Sequence, residues 1–532
     1  MRPQHLRTLL TVLAGTLLSA QDPGTRPESR PGSAAAGAGT KPSEIPIPSD
    51  QEGNPVLELT VEDALRLGRG NNTKLRADEL APFRAREVLR EAHAFFEPEL
   101  YGEIGASRTK DPSRNIFAPG VTRETYDSKL GWRQRVATGG LFDIALAPTR
   151  VNQSVAIPGF PSEQYMSELN FSVTQPLLRG FGTDYTLRNV RIAEAALAGS
   201  EQRFDRSIQQ TLLEIVVAYW ELVFARENYR VVFQSYDLAR EQLRITNERI
   251  RVRELAERDR IADEAEVARR QEELITAENQ IRAREDNLRR LLFDDREGLL
   301  WRRNLRPTSG APQEPSVPEI DWRVPAQTAL RERPDLKALR ADVTVAELQL
   351  LAAERDVLPR LDLVGSYGTD GTRSNFPDAW NDSMSREWED WSVRLQLAVP
   401  LGNQAALAAR DRSKIFLEER QRLLYAGEMD AAKEVRLALR ELNTNSLRIR
   451  ASRESVRLAE TNLDTERQKL RVGLSTIFEV QRRNQELQEA RSRLVRAEVD
   501  YRIAEAGLLY AQGRLLPPKD RLPSPIESQP TK

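Results

Sequence analysis

The sequence predicts an α+β fold in which short β-strands lead into very long helical hairpins, with this arrangement present twice. Three observations support the prediction. Apolar and polar residues alternate at 169–174 and at 391–399, and a period of two is typical of a half-buried strand. Each alternating stretch ends at a proline, Pro176 or Pro400, and helical periodicity follows. The second half of the chain repeats the order of the first.

Composition excludes several classes of function. The chain has no cysteine and only two histidines, His5 and His93, which removes thiolate metal sites and leaves little for histidine-based catalysis. A formal net charge of -1 gives no reason to expect nucleic-acid binding. No P-loop pattern occurs, and acid pairs such as Glu62 and Asp63 are typical of a solvated helix surface. We therefore expect no enzymatic activity, no cofactor and no metal site.

The two ends of the chain have the composition of processing and linker segments. Basic residues precede an apolar run at 8–18 and then small residues, the pattern of a secretory signal peptide over 1–20. Residues 21–54 are rich in Pro, Gly, Ala and Ser, as flexible linkers are, and 517–532 is a similar tail. With 30% charged residues and a mean hydropathy of -0.56, no run is expected to approach a membrane-spanning helix.

Comparison of the chain with itself predicts two repeats. We place the first repeat at 55–306, a Pro-rich connection at 307–325 and the second repeat at 326–516. The first repeat is longer, mainly because of additional residues between 108 and 167. Three positions before each long helix correspond: Leu169, Val173 and Pro176 in the first repeat, and Val393, Leu397 and Pro400 in the second.

The predicted helices follow a seven-residue apolar repeat, which indicates closely packed coiled-coil hairpins. A helix over 188–250 would be roughly 95 Å long at ~1.5 Å per residue. A soluble coiled-coil rod explains these heptads equally well, so the strands must decide between the two interpretations. The repeat positions are Ile208, Ile215, Leu222, Tyr229, Tyr236, Leu243 and Ile250 in the first hairpin, and Val435, Leu442, Ile449, Val456, Leu463, Leu470 and Ile477 in the second.

The strands fit a transmembrane barrel, because each is short, alternating and apolar on one face. One chain supplies too few strands, since an open sheet edge is not tolerated in lipid and the smallest barrels need about eight. If the strands lie in a membrane, several chains must therefore close one barrel together. An ordinary half-buried sheet remains the alternative.

Four motifs resemble the TolC-like outer-membrane channel (efflux/secretion) family: "LTVEDALRLGRGNNTKLRA" at 59–77, "TQPLLRGFG" at 174–182, "ALRERPDL" at 329–336 and "KLRVGLSTIFEVQ" at 469–481. The resemblance covers nearly the whole mature chain. It implies a homotrimer in which four strands per chain form a twelve-stranded barrel, continued by an α-helical tunnel across the periplasm. Pro176 and Pro400 would then be the strand-to-helix junctions, where proline ends ladder pairing.

The resemblance also implies roles for the turns of the two helical hairpins, near 251–261 and 471–481. The family's tip motif for docking a periplasmic adaptor matches Val472, Gly473, Leu474, Ser475 and Thr476. A Gly-assisted break between two helices is the structural alternative. In the first hairpin Arg253 stands at the position of Gly473, which leaves open whether both tips dock alike.

Relatives narrow their closed entrance with acidic residues, and the corresponding positions here predict an entrance constriction at Glu479 and Asp259. Three copies of one carboxylate around an axis would favour cations. A solvated helix carboxylate is the alternative for Glu479. Arg482 replaces the family's second acidic residue, and Leu470 and Ser475 replace the residues that lock the closed state in relatives. Either the closed-state contacts differ, or the resting entrance is looser.

The additional residues of the first repeat raise a question about the barrel. Residues 126–148 read as two alternating runs about a Thr-Gly-Gly turn, which would give the first repeat four strands. If all were membrane strands, a trimer would have eighteen. We expect the family's twelve, with the additional pairing extending other strands or forming an external hairpin.

The sequence therefore predicts an outer-membrane channel subunit that forms the passive exit duct of an efflux pump or type I secretion system. Its expected partners are two further copies, outer-membrane lipid, a periplasmic adaptor (membrane fusion) protein and an inner-membrane pump, and no nucleic acid. The helical part is expected in the periplasm. The alternative is a secreted or periplasmic coiled-coil scaffold protein without transport activity.

Overall fold

The structure is a computed structural model, and it describes residues 47, 55–112, 120–154, 162–294, 303–309, 321–385 and 387–515. The chain divides into two units, Met1–Ile45 and Pro46–Lys532, and the first lies wholly outside the described residues. The predicted signal peptide at 1–20, the linker at 21–54 apart from residue 47, and the tail at 517–532 also lie outside them. Only the two ends of the connection at 307–325 are described.

The first half of the described chain contains, in order, one short strand, three helices, four longer strands, one short helix and one long helical hairpin. It begins with β1 (Val56–Leu59), α1 (Val61–Asn71), α2 (Thr73–Asp78) and α3 (Leu80–Ala94). The strands follow as β2 (Glu99–Asp111), β3 (Val121–Arg135), β4 (Leu141–Gln153) and β5 (Glu163–Pro176). After the short α4 (Thr183–Thr186), the hairpin consists of α5 (Arg188–Arg251) and α6 (Glu257–Leu292).

The second half has the same order with fewer strands. It contains β6 (Asn304–Pro307), α7 (Arg323–Glu332), α8 (Pro334–Asp356), β7 (Arg360–Arg373), α9 (Phe376–Ser385) and β8 (Glu389–Ala398). The second long hairpin consists of α10 (Gln404–Arg471) and α11 (Ile477–Ala511). The short strands β1 and β6 pair in parallel, so the start of the first half is joined to the start of the second.

Six strands form one antiparallel sheet, here called the main sheet, in the order β2-β3-β4-β5-β7-β8. The expectation that 126–148 extends other strands or forms an external hairpin is wrong. The hairpin β3–β4 lies inside the main sheet, with β2 paired along β3 and β5 paired along β4. The physical reason is that strands of 13 to 15 residues satisfy their backbone N–H and C=O groups on both sides by joining the ladder.

The main sheet has one apolar and one polar face, because successive side chains of a strand point to opposite sides. The pairing register keeps the apolar face continuous across all six strands, with even-numbered residues in β2, β3 and β4 and odd-numbered residues in β5, β7 and β8. The apolar face carries exposed large side chains on every strand: Leu100, Ile104, Leu130, Phe142, Ile144, Phe171, Val173, Leu363, Trp391, Val393, Leu395 and Leu397. A polar face opposite an exposed apolar face is the pattern of a membrane barrel wall.

The predicted heptad residues form the cores of the two hairpins. Ile208, Ile215, Leu222 and Tyr229 are buried along α5, and Val435, Leu442 and Ile449 of α10 pack with Tyr501 and Leu508 of α11. The coiled-coil prediction is confirmed for these positions. Towards the turns the same repeat is less buried, since Tyr236, Leu243 and Ile250 are only partly covered.

One finding corrects the expectation that no run approaches a membrane-spanning helix. Among the described residues, α5 contains a stretch of 18 residues that satisfies the length and hydropathy expected of a membrane span. Of that stretch 67% is buried inside the protein. Such burial is typical of a core helix, which passes the same two criteria.

Candidate channel wall and entrance

The turn between α10 and α11 is here called the second tip (472–476). Its backbone requires one residue in the left-handed conformation, with a positive φ. Gly473 has φ +78°. Its N–H donates to the Leu470 carbonyl at 3.2 Å, and the Leu474 N–H donates to the Lys469 carbonyl at 2.9 Å. This pair of hydrogen bonds is a Schellman motif, in which glycine avoids the steric cost of a Cβ.

The turn between α5 and α6, here called the first tip (252–256), has the same backbone with a different residue. Arg253 has φ +64°, its N–H donates to the Ile250 carbonyl at 2.9 Å, and the Glu254 N–H donates to the Arg249 carbonyl at 2.8 Å. A non-glycine residue here costs about 1–2 kcal/mol. The replacement of glycine by Arg253 therefore changes the side chain presented at the tip and the strain of the turn, but not its hydrogen bonds.

The predicted docking residues of the second tip divide into two groups. Val472 and Leu474 are 69% and 79% exposed. Ser475 and Thr476 instead hold the turn, since the Ser475 hydroxyl donates to the Glu466 carboxylate at 2.5 Å and the Thr476 hydroxyl accepts from the Glu479 N–H at 3.4 Å. Phe478, which is not among the predicted docking residues, is also 69% exposed. Val472, Leu474 and Phe478 are an exposed apolar group, the feature that marks an interaction surface.

The two predicted constriction residues occupy equivalent positions, three residues into the helix that follows each tip. The Asp259 carboxylate accepts a hydrogen bond from the Ala256 N–H at 3.3 Å. The Glu479 carboxylate forms an ion pair with Arg482 at 3.0 Å. A carboxylate in a first helical turn is stabilised by the helix dipole and by exposed N–H groups. Both residues therefore have a local structural role in the single chain, beside the predicted role at the entrance.

A buried polar contact between the two hairpins, close to both tips, was missed from the sequence. The Asp263 side chain of α6 is 1% exposed. Its carboxylate accepts hydrogen bonds from the Thr246 hydroxyl of α5 at 2.6 Å and from the Gln481 amide of α11 at 2.7 Å. Burial raises the pKa of Asp263, while these two hydrogen bonds oppose the increase. Asp263 thus connects the first hairpin to the second.

A second buried group continues this contact away from the tips. Arg270 is 3% exposed and pairs with Glu266 at 2.8 Å and Glu273 at 3.0 Å. Its guanidinium also donates to the Gln488 side-chain oxygen of α11 at 2.5 Å, which accepts from the Ser235 hydroxyl of α5 at 2.8 Å. A cavity of about 20 Å³ lies among these side chains, enough for about one water molecule.

The heptad pattern contained a signal for these polar residues. Asp263, Arg270 and Ala277 are seven residues apart, so they lie along one seam of the coiled coil. Charged residues at such seam positions are costly and specify pairing and register. The apolar positions of each heptad predict the core, whereas these buried contacts are made by its polar interruptions.

The two proline junctions differ. Pro176 is the last residue of β5 and stands opposite Asp362, and the next N–H, of Leu177, donates to the Leu361 carbonyl at 2.7 Å. Residues 177–187, with the short α4, then separate β5 from α5. Pro400 lies outside the strand, two residues after the end of β8, and α10 begins at residue 404. The second junction is therefore the more direct connection from strand to long helix.

The polar face of the main sheet is cross-linked by side chains. The Tyr101 hydroxyl of β2 donates to the Asp143 carboxylate of β4 at 3.0 Å, across the intervening Gly131, where a Cβ would lie 2.3 Å from the Tyr101 ring. Arg133 and Glu99 form two hydrogen bonds, at 2.8 and 2.9 Å. These contacts tie β2, β3 and β4 together on the side away from the apolar residues.

An antiparallel sheet with one exposed apolar face and one polar face, continued by coiled-coil hairpins, defines the class of outer-membrane channel subunits. Comparison with known proteins gives the same class. Residues 326–514 match the family model described as "Outer membrane efflux protein". These residues span much of the second half, from α7 to the end of α11.

Two curated relatives and a solved structure extend the similarity to most of the chain. Alkaline protease secretion protein AprF of Pseudomonas aeruginosa is 26% identical over 360 residues, 66% of this chain and 70% of AprF. Outer membrane protein TolC of Vibrio cholerae is 24% identical over 326 residues, 61% of this chain and 72% of TolC. The crystal structure of the CmeC outer membrane channel of Campylobacter jejuni shares the fold, with a TM-score of 0.63 at 16% identity over 86% of each chain. Together these matches show that the chain is similar to TolC-like outer-membrane efflux and secretion channel proteins.

Proposed function

We propose that three copies of this chain form a passive exit duct through the outer membrane, with the helical hairpins extending into the periplasm as a tunnel. The observation that carries the proposal is the main sheet, which has a continuous exposed apolar face and too few strands to close alone. In lipid an open sheet is not tolerated, so copies must share one barrel. A scaffold that stays in water would expose this apolar face on every copy.

The duct is supplied by an inner-membrane pump through a periplasmic adaptor protein that docks at the second tip. Support comes from Val472, Leu474 and Phe478, whose apolar side chains are exposed at the end of the hairpin. An exposed apolar group on a rigid turn suits docking against another protein, since binding removes its surface from water. Energy for transport comes from the pump, because the duct itself performs no chemistry in this proposal.

Protein secretion is the better supported of the two transport roles. AprF, which is similar over 66% of this chain, is described as a secretion protein for an alkaline protease. The family model, in contrast, is described by efflux. The cargo is set mainly by the pump. Transport activity should therefore be measured first, and the identity of the transported molecule second.

The experiment is a transport assay in cells that carry the cognate pump and adaptor, with Leu474→Asp in the second tip as the test variant. A charge at this exposed position should abolish adaptor capture and transport while the trimer still forms in the outer membrane. Leu474→Ile is the matched control and should retain both. Normal adaptor capture by Leu474→Asp would contradict docking at this tip, and a wild-type protein absent from the outer membrane would contradict the duct itself.

A further inference from the structure

The main sheet has two edges that each lack a partner strand within the part of the chain that the structure describes. These edges are β2 and β8, at the two ends of the strand order. Each leaves a row of backbone N–H and C=O groups without a ladder partner. Every such group costs several kcal/mol in hydrocarbon. Both edges must therefore be paired when the sheet lies in a membrane.

Side-chain exposure shows that a neighbour is missing at both edges. On the apolar face Ile104 of β2 is 90% exposed and Leu395 of β8 is 64% exposed. On the inner strands Ile144 of β4 and Val173 of β5 are 36% and 38% exposed. Inner residues have a strand on each side, whereas the edge residues have one. The excess exposure lies on the same face at both edges, which is the face that would meet lipid.

The strand directions identify the occupant of each edge as a second copy of this chain. β2 follows the helix α3 and so runs away from the helical part, whereas β8 runs towards the helix α10. Rotation of a second copy about an axis along the membrane normal would place its β2 beside the first copy's β8, in antiparallel orientation. All five strand pairs of the main sheet are antiparallel, so such a contact continues the sheet.

The β3–β4 hairpin has the properties of the other strands of the main sheet. Leu130 of β3 and Ile144 of β4 lie on the apolar face and are exposed. Their chain neighbours Lys129 and Asp143 lie on the polar face. Asp143 accepts the hydrogen bond from the Tyr101 hydroxyl, so the polar face is continuous from β2 to β4. An external hairpin would leave β2 and β5 without the partners they have here.

We propose that the β3–β4 hairpin is part of the membrane wall and that three copies close an eighteen-stranded barrel, six strands from each copy, by pairing β8 of one copy with β2 of the next. This inference rests on the trimer of the proposed function. With strands ~4.8 Å apart and tilted ~40°, eighteen strands give a barrel about 36 Å across, against about 24 Å for twelve. The exit through the membrane is then wide enough for an aqueous channel of porin size.

The test places single cysteines in the full-length chain, which has none of its own. Leu130→Cys and Ile144→Cys probe the apolar face of the hairpin, and Leu395→Cys probes the same face of β8. Lys129→Cys and Gln396→Cys are the matched polar-face positions on β3 and β8. Each variant is labelled with an environment-sensitive fluorophore, reconstituted into phospholipid vesicles, and quenched either by nitroxide-labelled lipid or by aqueous iodide.

Quenching by lipid nitroxide at Leu130→Cys and Ile144→Cys, within about twofold of that at Leu395→Cys, is the expected result. The two polar-face labels should instead be quenched by iodide. Lipid quenching at Leu395→Cys but at neither hairpin position would overturn the eighteen-stranded wall and leave the trimeric duct standing. A lack of lipid quenching at all three apolar positions would overturn both the inference and the proposed function.

The pairing of edges is tested by disulfide trapping between copies. Leu100→Cys on β2 is combined in turn with cysteine at Val393, Leu395 or Leu397 on the same face of β8, and with Arg394→Cys or Gln396→Cys on the opposite face as controls. At least one same-face pair should give two-chain and three-chain species after oxidation, because paired side chains come within disulfide reach. Cross-linking that is absent from every same-face pair, or equal in the controls, would overturn pairing of β8 with β2.

Discussion

At the scale of single residues, the two tips provide a matched pair in which the same backbone turn is made by different side chains. Gly473→Ala should destabilise the second tip by about 1 kcal/mol, because a Cβ at positive φ is strained although no other atom lies within 4 Å of it. Arg253→Gly should stabilise the first tip by a similar amount. Amide hydrogen exchange at the two turns measures both changes, as roughly fivefold shifts in opposite directions.

The same pair of variants contains its own control. Each substitution leaves the other tip unchanged, so exchange at the unmodified tip should equal that of the wild type. Slower exchange in Gly473→Ala, or no change in Arg253→Gly, would show that the left-handed residue does not limit the stability of the turn.

Asp263 predicts a pH dependence of the contact between the two hairpins. Its pKa is raised above the ordinary value of 3.8, first by burial, so the folded protein binds this proton more tightly than the unfolded chain does. The site therefore favours the folded state most below the ordinary pKa, and this contribution is lost as pH rises through the folded pKa. Asp263→Asn, which cannot ionise, should remove this dependence. The comparison is thermal unfolding of the two proteins across acid to neutral pH.

The expected outcome for Asp263→Asn is a shallower loss of stability than in the wild type as pH rises from below the ordinary pKa. Asp78→Asn serves as the control carboxylate, since Asp78 also accepts a hydrogen bond from a hydroxyl, that of Ser207, but lies outside the contact between the hairpins. Identical pH profiles for wild type and Asp263→Asn would contradict the role given to burial at this site.

At the scale of elements, the helix α9 packs closely against the main sheet at Gly371 of β7. A Cβ on Gly371 of β7 would lie 1.9 Å from the Ala379 carbonyl oxygen and 2.8 Å from the Ser383 nitrogen, both backbone atoms of α9. Gly371→Ala should therefore displace α9, at a cost of about 1–3 kcal/mol. Faster proteolysis across 374–388 measures the displacement.

Gly365→Ala is the matched control, because Gly365 lies on the same strand and the same face with no atom within 4 Å of its added Cβ. That variant should be cut at the wild-type rate. Equal protection of α9 in both variants would show that the helix adjusts to the added methyl group.

The elements also show how far the sequence predicts this fold. The heptads were sufficient to locate the buried positions of α5 and α10, and alternation was sufficient to recognise β3 and β4 as strands. Alternation does not say which strand pairs with which, since pairing is decided by long-range ladder contacts. The wrong placement of the β3–β4 hairpin came from the strand number of the family rather than from its own residues.

The tip region was only partly predictable, for a different reason. Gly473 was identified as the turn residue because glycine marks a helix end. The contact of Asp263 with Thr246 and Gln481 joins residues of three helices, and the sequence does not show which helices will meet. The ion pair of Glu479 with Arg482 is local and can be predicted from the sequence, because residues three apart on a helix are neighbours.

At the scale of the whole molecule, a sheet that lies in the membrane should tolerate a charge on one face of β8 and not on the other. Leu395→Arg places a charge on the apolar face, where it should cost about 2–4 kcal/mol at the middle of the membrane and reduce the amount of protein in the outer membrane. Gln396→Arg places the same charge on the polar face and should be tolerated. Quantification of each variant in outer-membrane fractions measures the difference. Equal accumulation of both variants would contradict the assignment of the faces.

The native mass of the full chain, extracted from the outer-membrane fraction in mild detergent, is the most direct test of a membrane barrel shared by three copies. We expect a detergent-dependent complex of three chains, which is three times 60.3 kDa before any processing of the chain. A protein that stays in solution without detergent, at any oligomeric state, would contradict the shared barrel, because its apolar sheet face would then not be in a membrane.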